Sequence, residues 1–164
     1  MNSWIFLLVL SQLIVVSWVD IKTKKISNLW FPFNLVLAIG FHFLFPEAYP
    51  WVWATLLFPL GWIILGFILF VFGIMGAGDS KYLASLFLVI PVEQQVVMIE
   101  KIIISTIVVG GVMLGLKVLK DFKKIRAYAL SSYWIGLRDS IKSHFSYAPV
   151  ILLGWILVGL EQWK

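Results

Sequence analysis

The chain has 164 residues, of which 62% are hydrophobic and only 13% are charged, and its formal net charge is +5. A soluble domain is about 45–50% apolar and about 25% charged, so this composition excludes an ordinary soluble core and indicates one membrane domain over residues 1–164. The basic residues lie in short segments between apolar runs, which favours membrane topology over nucleic-acid binding. Because the chain contains no cysteine, disulfides, iron–sulfur clusters, cysteine-ligated zinc and a cysteine nucleophile are excluded.

Six apolar runs predict an all-α, polytopic membrane protein with six transmembrane helices. Runs of about 20 residues span a bilayer, and runs of about 16 do so with help from flanking residues or local thinning. In chain order the runs are Ser3–Val19, Leu29–Phe45, Trp51–Phe72, Tyr82–Val92, Ile102–Leu116 and Phe145–Leu160.

The fourth run is the shortest and follows a glycine-rich segment. At about 1.5 Å per residue it covers only about 16 Å. The fourth helix is therefore expected to begin or end within the membrane, or to extend through Gln94 and Gln95.

The distribution of positive charge predicts the orientation. The segments Asp20–Asn28, Gly73–Lys81 and Lys117–His144 alternate with the apolar runs and hold most of the basic residues: Lys22, Lys24, Lys25, Lys81, Lys117, Lys120, Lys123, Lys124, Arg126, Arg138 and Lys142. The positive-inside rule places these segments in the cytoplasm and both termini outside. The first run lacks a basic leader region and a small-residue cleavage site, so it is expected to remain as a helix.

The Lys117–His144 segment is too polar to span a bilayer, yet its apolar residues recur at steps of three and four: Ile125, Tyr128, Ala129, Tyr133, Leu137 and Ile141. This pattern predicts an amphipathic interfacial helix between the fifth and sixth transmembrane helices. A basic loop without fixed structure is the alternative.

Two acidic residues lie at helix ends on the same predicted membrane face: Asp20 after the first run and Asp79 before the fourth. Two nearby carboxylates resist joint ionisation and share a proton, so one acts as general base toward water and the other as general acid toward a carbonyl. Such a pair hydrolyses a peptide bond without a metal or cofactor. The alternative is structural, because an aspartate also marks a membrane surface or caps a helix.

The segment Gly76-Ala77-Gly78-Asp79-Ser80-Lys81 contains a short GxGD pattern. Glycines beside Asp79 let the backbone approach a neighbouring segment or substrate closely. Lys81 would favour ionisation of Asp79, but a positive-inside lysine is the simpler interpretation.

Three segments together resemble the type IV prepilin peptidases, which are membrane aspartyl proteases of the GxGD class. The segment Asp20–Asn28 resembles the family's first catalytic motif, and Gly76–Lys81 resembles the second. Tyr147-Ala148-Pro149 is similar to the segment that opens the last helix.

The resemblance implies that Asp20 and Asp79 are catalytic, with Gly76, Gly78, Lys81, Asn28, Tyr147 and Pro149 in support. It implies cleavage of a short basic leader, commonly after glycine, from a prepilin or pseudopilin at the cytoplasmic face of a prokaryotic cytoplasmic membrane. The cysteine-containing insert of the bifunctional enzymes is missing, so peptidase activity without N-methylation is expected. The small size resembles the minimal enzymes of Tad/Flp pili or the archaeal preflagellin peptidases.

Two other functions compete with this one. A non-enzymatic subunit of a pilus, secretion or ion-transport complex would use the acidic pair as a cation or proton path. A presenilin-like protease would share the GxGD chemistry but cut inside a transmembrane segment. Oligomeric state is not predicted.

The remaining polar and aromatic residues receive structural interpretations. His42 and His144 fall on opposite predicted sides, so no histidine metal site is expected. Pro32 and Asn34 are expected to kink the second helix or to line the site. Tryptophans that flank the apolar runs are predicted to be interfacial anchors: Trp51, Trp53, Trp155 and Trp163.

Overall fold

The computed structural model describes residues 3–50, 52–72, 75–120, 122 and 146–162, and this part of the chain folds into six α-helices without a β-strand. In chain order the helices are α1 (Ser3–Thr23), α2 (Trp30–Leu44), α3 (Ala54–Val71), α4 (Ala77–Val89), α5 (Val92–Lys120) and α6 (Ala148–Gln162). The predicted all-α class is confirmed.

By length and composition, α1, α3 and α5 are able to cross a membrane, with 21, 18 and 29 residues. Helices α2 and α6 are apolar but shorter, with 15 residues each. Helix α4 has only 13 residues. Since helices satisfy their own backbone hydrogen bonds, this architecture is that of an integral membrane protein.

Two helices extend well beyond their apolar runs. Helix α4 begins at Ala77 rather than near Tyr82 and ends at Val89, so it does not reach Gln94 or Gln95. Helix α5 begins at Val92, directly after the Pro91 that separates it from α4. Both extensions pass through polar residues, which a search for apolar runs does not include in a helix.

The predicted amphipathic helix lies mostly outside the described residues. Its first four positions, residues 117–120, belong to the end of α5. Residues 121 and 123–145 are not described, so that prediction stays open.

Helix α4 has the largest buried fraction of the six helices. It packs against α2 and α3, and eight of its 13 residues are buried. On the α3 side, a Cβ added to Gly66 would collide with Ser80 of α4, so the glycine lets the two backbones approach closely.

Helix α6 packs against α1 and α5. A Cβ on Gly154 would lie 3.3 Å from the backbone nitrogen of Ile102, so α5 and α6 are also in close contact. Trp155 is completely buried, and its indole N–H donates to the Phe6 carbonyl of α1 at 3.2 Å.

The interfacial role predicted for Trp155 is therefore wrong, because this ring fills the contact between α1 and α6. Trp53, in contrast, is 88% exposed, as an interfacial side chain would be. Trp51 and Trp163 lie outside the described residues.

A chain of amide and hydroxyl groups crosses the interior of the bundle. Gln12 Nε2 donates to Asn34 Oδ1 at 2.5 Å, and Asn34 Nδ2 donates to Ser85 Oγ at 3.0 Å. These bonds join α1, α2 and α4 about two helical turns below Asp20. Asn34 thus links three helices rather than lining the acidic site.

Candidate active site

The residues that the sequence singles out gather at one end of the bundle. Helices α1 and α6 run antiparallel, because Phe6 near the start of α1 contacts Trp155 while Asp20 near its end contacts Ala148. The C-terminal end of α1 therefore meets the N-terminal end of α6. The N-terminal end of α4 joins them through the contact of Gly78 with Ile26.

Asp20 lies in the last turn of α1 and is 2% exposed. Its Oδ2 accepts the backbone N–H of Ala148 at 3.1 Å. Ala148 is the first residue of α6, where the N–H has no partner within the helix and the helix dipole is positive. The buried carboxylate thus obtains its donor from a helix that lies 128 residues away in sequence.

Asp79 lies in the first turn of α4 and is half-buried. Its Oδ2 accepts the backbone N–H of Gly76, the residue that caps this helix, at 3.2 Å. This is one half of a capping box, in which a side chain in the first turn reaches back to the cap. The capping interpretation is therefore correct for one carboxylate oxygen, and it leaves the other available for chemistry.

Gly78 brings the two acidic segments together. A Cβ on this residue would lie 2.6 Å from the carbonyl oxygen of Ile26, a distance that real Cβ contacts do not show. Ile26 belongs to the connection that follows α1 and is buried. Only glycine allows the first turn of α4 to lie directly on this backbone, and Asp79 is the next residue.

The two carboxylates are close enough to interact electrostatically, since the charge of Asp20 acts on Asp79. The charge of Asp79 also reaches Tyr147, the residue before α6. Burial, mainly, raises the pKa of the Tyr147 phenol, so it stays protonated. Its hydroxyl lies 3.4 Å from Thr106 Oγ1 on α5.

The other predicted support residues differ in their placement. Pro149 is the second residue of α6, where a proline has no helical N–H partner to lose. Asn28 and Lys81 are both exposed. Asn28 accepts the Phe31 N–H through its backbone carbonyl, and neither side chain makes a hydrogen bond within the described part of the chain.

Two residues at this end were not among the predicted site residues. Lys24 Nζ donates to Ser146 Oγ at 2.8 Å, and Ser146 Oγ donates to the Asp20 carbonyl at 3.4 Å. In the sequence, Lys24 is one of several lysines that the positive-inside rule explains, and Ser146 has no motif of its own. Only the helix packing reveals their contact.

This arrangement supplies the parts of an aspartic hydrolase. Two carboxylates from different helices interact at one end of a helical bundle, and each is oriented by one backbone N–H. In aspartic hydrolases in general, one carboxylate takes a proton from water while the other gives a proton to the carbonyl oxygen. Among the described residues no group of three or more metal-ligating side chains is present.

Comparison with known proteins agrees with the geometry. The model of the type IV leader peptidase family matches residues 7–160, a range that contains both aspartates and all six supporting residues. No curated protein and no solved structure matches the chain. With nearly its whole length matched, and with two interacting carboxylates at one end of a membrane helix bundle, the chain belongs to the type IV leader peptidase family.

Proposed function

We propose that this protein is an aspartic endopeptidase that removes the short basic leader from type IV prepilins or pseudopilins at the cytoplasmic face of the membrane. The observation that carries the proposal is the pairing of Asp20 and Asp79, which the contact of Gly78 with Ile26 holds at one end of the bundle. The family match supports a leader peptidase in particular.

The charge distribution supports a cytoplasmic site. Three lysines follow Asp20 within five residues, and Lys81 follows Asp79 within two. At the other end of the bundle, Lys101 is neutralised by Glu161 at 2.6 Å and by Glu100 at 3.3 Å. The positive-inside rule therefore favours the site end as the cytoplasmic one, with both termini outside.

In the proposed reaction, the ionised carboxylate takes a proton from water, and the water oxygen attacks the carbonyl carbon at the end of the leader. The protonated carboxylate gives its proton to the carbonyl oxygen. When the C–N bond breaks, the proton taken from water passes to the leaving amine, which becomes the new N-terminus of the pilin. No covalent intermediate is needed.

We further propose a peptidase-only enzyme without N-methyltransferase activity. The chain has no cysteine, and only six residues separate α1 from α2, the position at which the bifunctional enzymes carry their insert. Incubation with a methyl donor should leave the mature peptide unmethylated.

The test is cleavage of a synthetic prepilin peptide by the purified protein in detergent or nanodiscs, followed by mass spectrometry. The peptide carries a short basic leader that ends in glycine and is followed by an apolar helix. Wild-type protein should cut once, after the glycine. Asp20→Asn and Asp79→Asn should each abolish cleavage, because either change removes a member of the proton-sharing pair while keeping its shape.

Glu47→Gln is the matched control, since this exposed glutamate lies in the connection between α2 and α3 and not at the site. It should leave cleavage unchanged. Retained cleavage in either aspartate variant, with normal protein levels, would reject the assigned pair. A cut inside the apolar helix would instead indicate a presenilin-like specificity.

A further inference from the structure

Lys24 has an unusual backbone conformation. Its φ is 55°, and it is the single non-glycine residue with positive φ in the part of the chain that the structure describes. Lys24 directly follows α1, the position where helices commonly end on a left-handed glycine. Its N–H donates to the Asp20 carbonyl at 2.8 Å, which closes the helix. A lysine here bears a steric penalty that glycine would avoid.

The side chain of Lys24 makes a contact that glycine could not. Its Nζ donates to Ser146 Oγ at 2.8 Å, across 122 residues of sequence. Ser146 is 4% exposed, so this hydroxyl is withdrawn from water. The same Oγ donates to the Asp20 carbonyl at 3.4 Å.

Asp20 is thus held by one short segment through two different groups. Ser146 bonds its main-chain carbonyl, and Ala148, two residues later, bonds its carboxylate. A shift of the α1 end relative to residues 146–148 would change both bonds together. Lys24 resists that shift because it ties the residue after α1 to Ser146.

We propose that Lys24 and Ser146 are positioning residues, and that the Lys24–Ser146 link holds the Asp20 carboxylate at the distance from Asp79 that catalysis requires. The proposal rests on the proposed peptidase function. It assigns Lys24 a role that differs from that of its neighbour Lys25, which is also exposed and basic.

The decisive variant is Lys24→Gly. Glycine suits the left-handed backbone, so the helix end and the fold should be preserved or stabilised while the link is lost. We expect kcat for prepilin cleavage to fall on the order of tenfold, with KM unchanged, because misplacing a catalytic group affects the chemical step. Ser146→Ala should lower kcat at least as much, because it removes both the link and the bond to the Asp20 carbonyl. Lys24→Arg keeps a donor and should retain most of the rate.

The matched control is Lys25→Ala, which removes an equal charge one residue away. It should leave kcat and KM unchanged. In the double variant Lys24→Gly/Ser146→Ala the loss should equal that of Ser146→Ala alone, because that change already removes the link. Three results would each overturn the proposal. Two of them are a wild-type kcat in Lys24→Gly and additive losses in the double variant. The third is an equal effect of the Lys24 and Lys25 substitutions on KM, which would indicate that the substrate is recognised by charge.

A readout that does not depend on proteolysis separates this proposal from the proposed function. With ¹⁵N-alanine labelling in micelles, the Ala148 amide should exchange with solvent faster in Lys24→Gly than in wild type or Lys25→Ala. Unchanged exchange would overturn the positioning role even if the protein is a peptidase. Faster exchange in a protein that cleaves no prepilin would support the Lys24–Ser146 link and contradict the proposed peptidase function.

Discussion

The two aspartates of the site are held in different ways. Asp20 is buried, and the N–H that bonds its carboxylate comes from a helix 128 residues away. Asp79 is half-buried, and its carboxylate bonds to the cap of its own helix, three residues away. One carboxylate thus depends on the assembled bundle, whereas the other is oriented by a single helical turn. The halves of the site should therefore respond differently to substitution.

Apart from loss of the aspartates themselves, the largest effect should come from the contact that joins the halves. Gly78→Ala places a Cβ 2.6 Å from the Ile26 carbonyl oxygen, so the first turn of α4 must move and carry Asp79 with it. We expect a loss of kcat/KM of about a hundredfold, as for a displacement of roughly 1 Å at a catalytic group. Peptide cleavage at several substrate concentrations measures it.

Gly76→Ala is the companion change, because its Cβ would lie 3.2 Å from Asp79 Oδ2, a contact that a small movement of the side chain relieves. We expect less than about tenfold loss, of which a poorer N-cap explains part. Equal losses in the two alanine variants would show that the halves are not joined through Gly78.

A second pair of variants removes one N–H donor from each carboxylate. Ala148→Pro deletes the donor to Asp20 at a helix position that proline tolerates, and we expect a loss of roughly tenfold to a hundredfold because the carboxylate is buried. Gly76→Pro deletes the donor to Asp79, and its φ of −76° suits proline. Here water replaces the donor, and the loss relative to Gly76→Ala should be only about two- to fivefold.

The measurement is kcat for each proline variant, with circular dichroism as the control for helical content. A larger loss for Gly76→Pro than for Ala148→Pro would reverse the comparison. It would mean that catalysis depends more strongly on the N–H donor of the half-buried carboxylate than on that of the buried one.

The smallest effect on catalysis should come from the polar chain beneath the site. Asn34→Ala removes the amide between Gln12 and Ser85 and leaves both without this partner. We expect stability to fall by about 1–3 kcal/mol, because buried polar groups are costly to leave unpaired, while kcat of the folded enzyme stays unchanged. Thermal unfolding in detergent and low-temperature kinetics separate the two quantities.

Ser11→Ala is the control for that experiment. Ser11 is exposed on α1 and bonds the Leu8 carbonyl of its own helix, so its loss should alter neither quantity. A fall in kcat for Asn34→Ala would show that the relation between α1 and α4 is set deep in the bundle as well as at its end.

The contrast between the two aspartates also explains which parts of the site could be predicted from the sequence. The environment of Asp79 is local, so the spacing of Gly76, Gly78 and Asp79 before the fourth apolar run was enough to predict a close backbone approach and a carboxylate that could cap the helix. The partners of Asp20 are distant, and no local pattern marks Ser146 or the Ala148 N–H as its donors. Lys24 is the clearest example of what sequence does not predict. Its positive charge is evident from the sequence, whereas its backbone conformation and its hydrogen-bond partner depend on packing.

Helix ends and buried polar groups were predicted less well than helix number. Apolar runs located the helices, but α4 and α5 begin in polar residues that capping and packing make helical. Trp155 was assigned to the interface because it flanks an apolar run, although the contact between α1 and α6 buries it. Such errors arise because a run of apolar residues does not distinguish a face toward lipid from a face toward another helix.

The alternation of long and short helices bears on how the protein enters the membrane. Helices α1, α3 and α5 are long and apolar enough to cross a membrane, and each is followed by a shorter helix. Helices α4 and α6 pack on the long helix made just before them, so each can insert as the second arm of a hairpin during synthesis. Helix α2 packs instead on α4, which the ribosome produces later. The interface of α2 is therefore complete only after α3 and α4 have been made. We expect insertion of the protein to be most sensitive to mutation at this step.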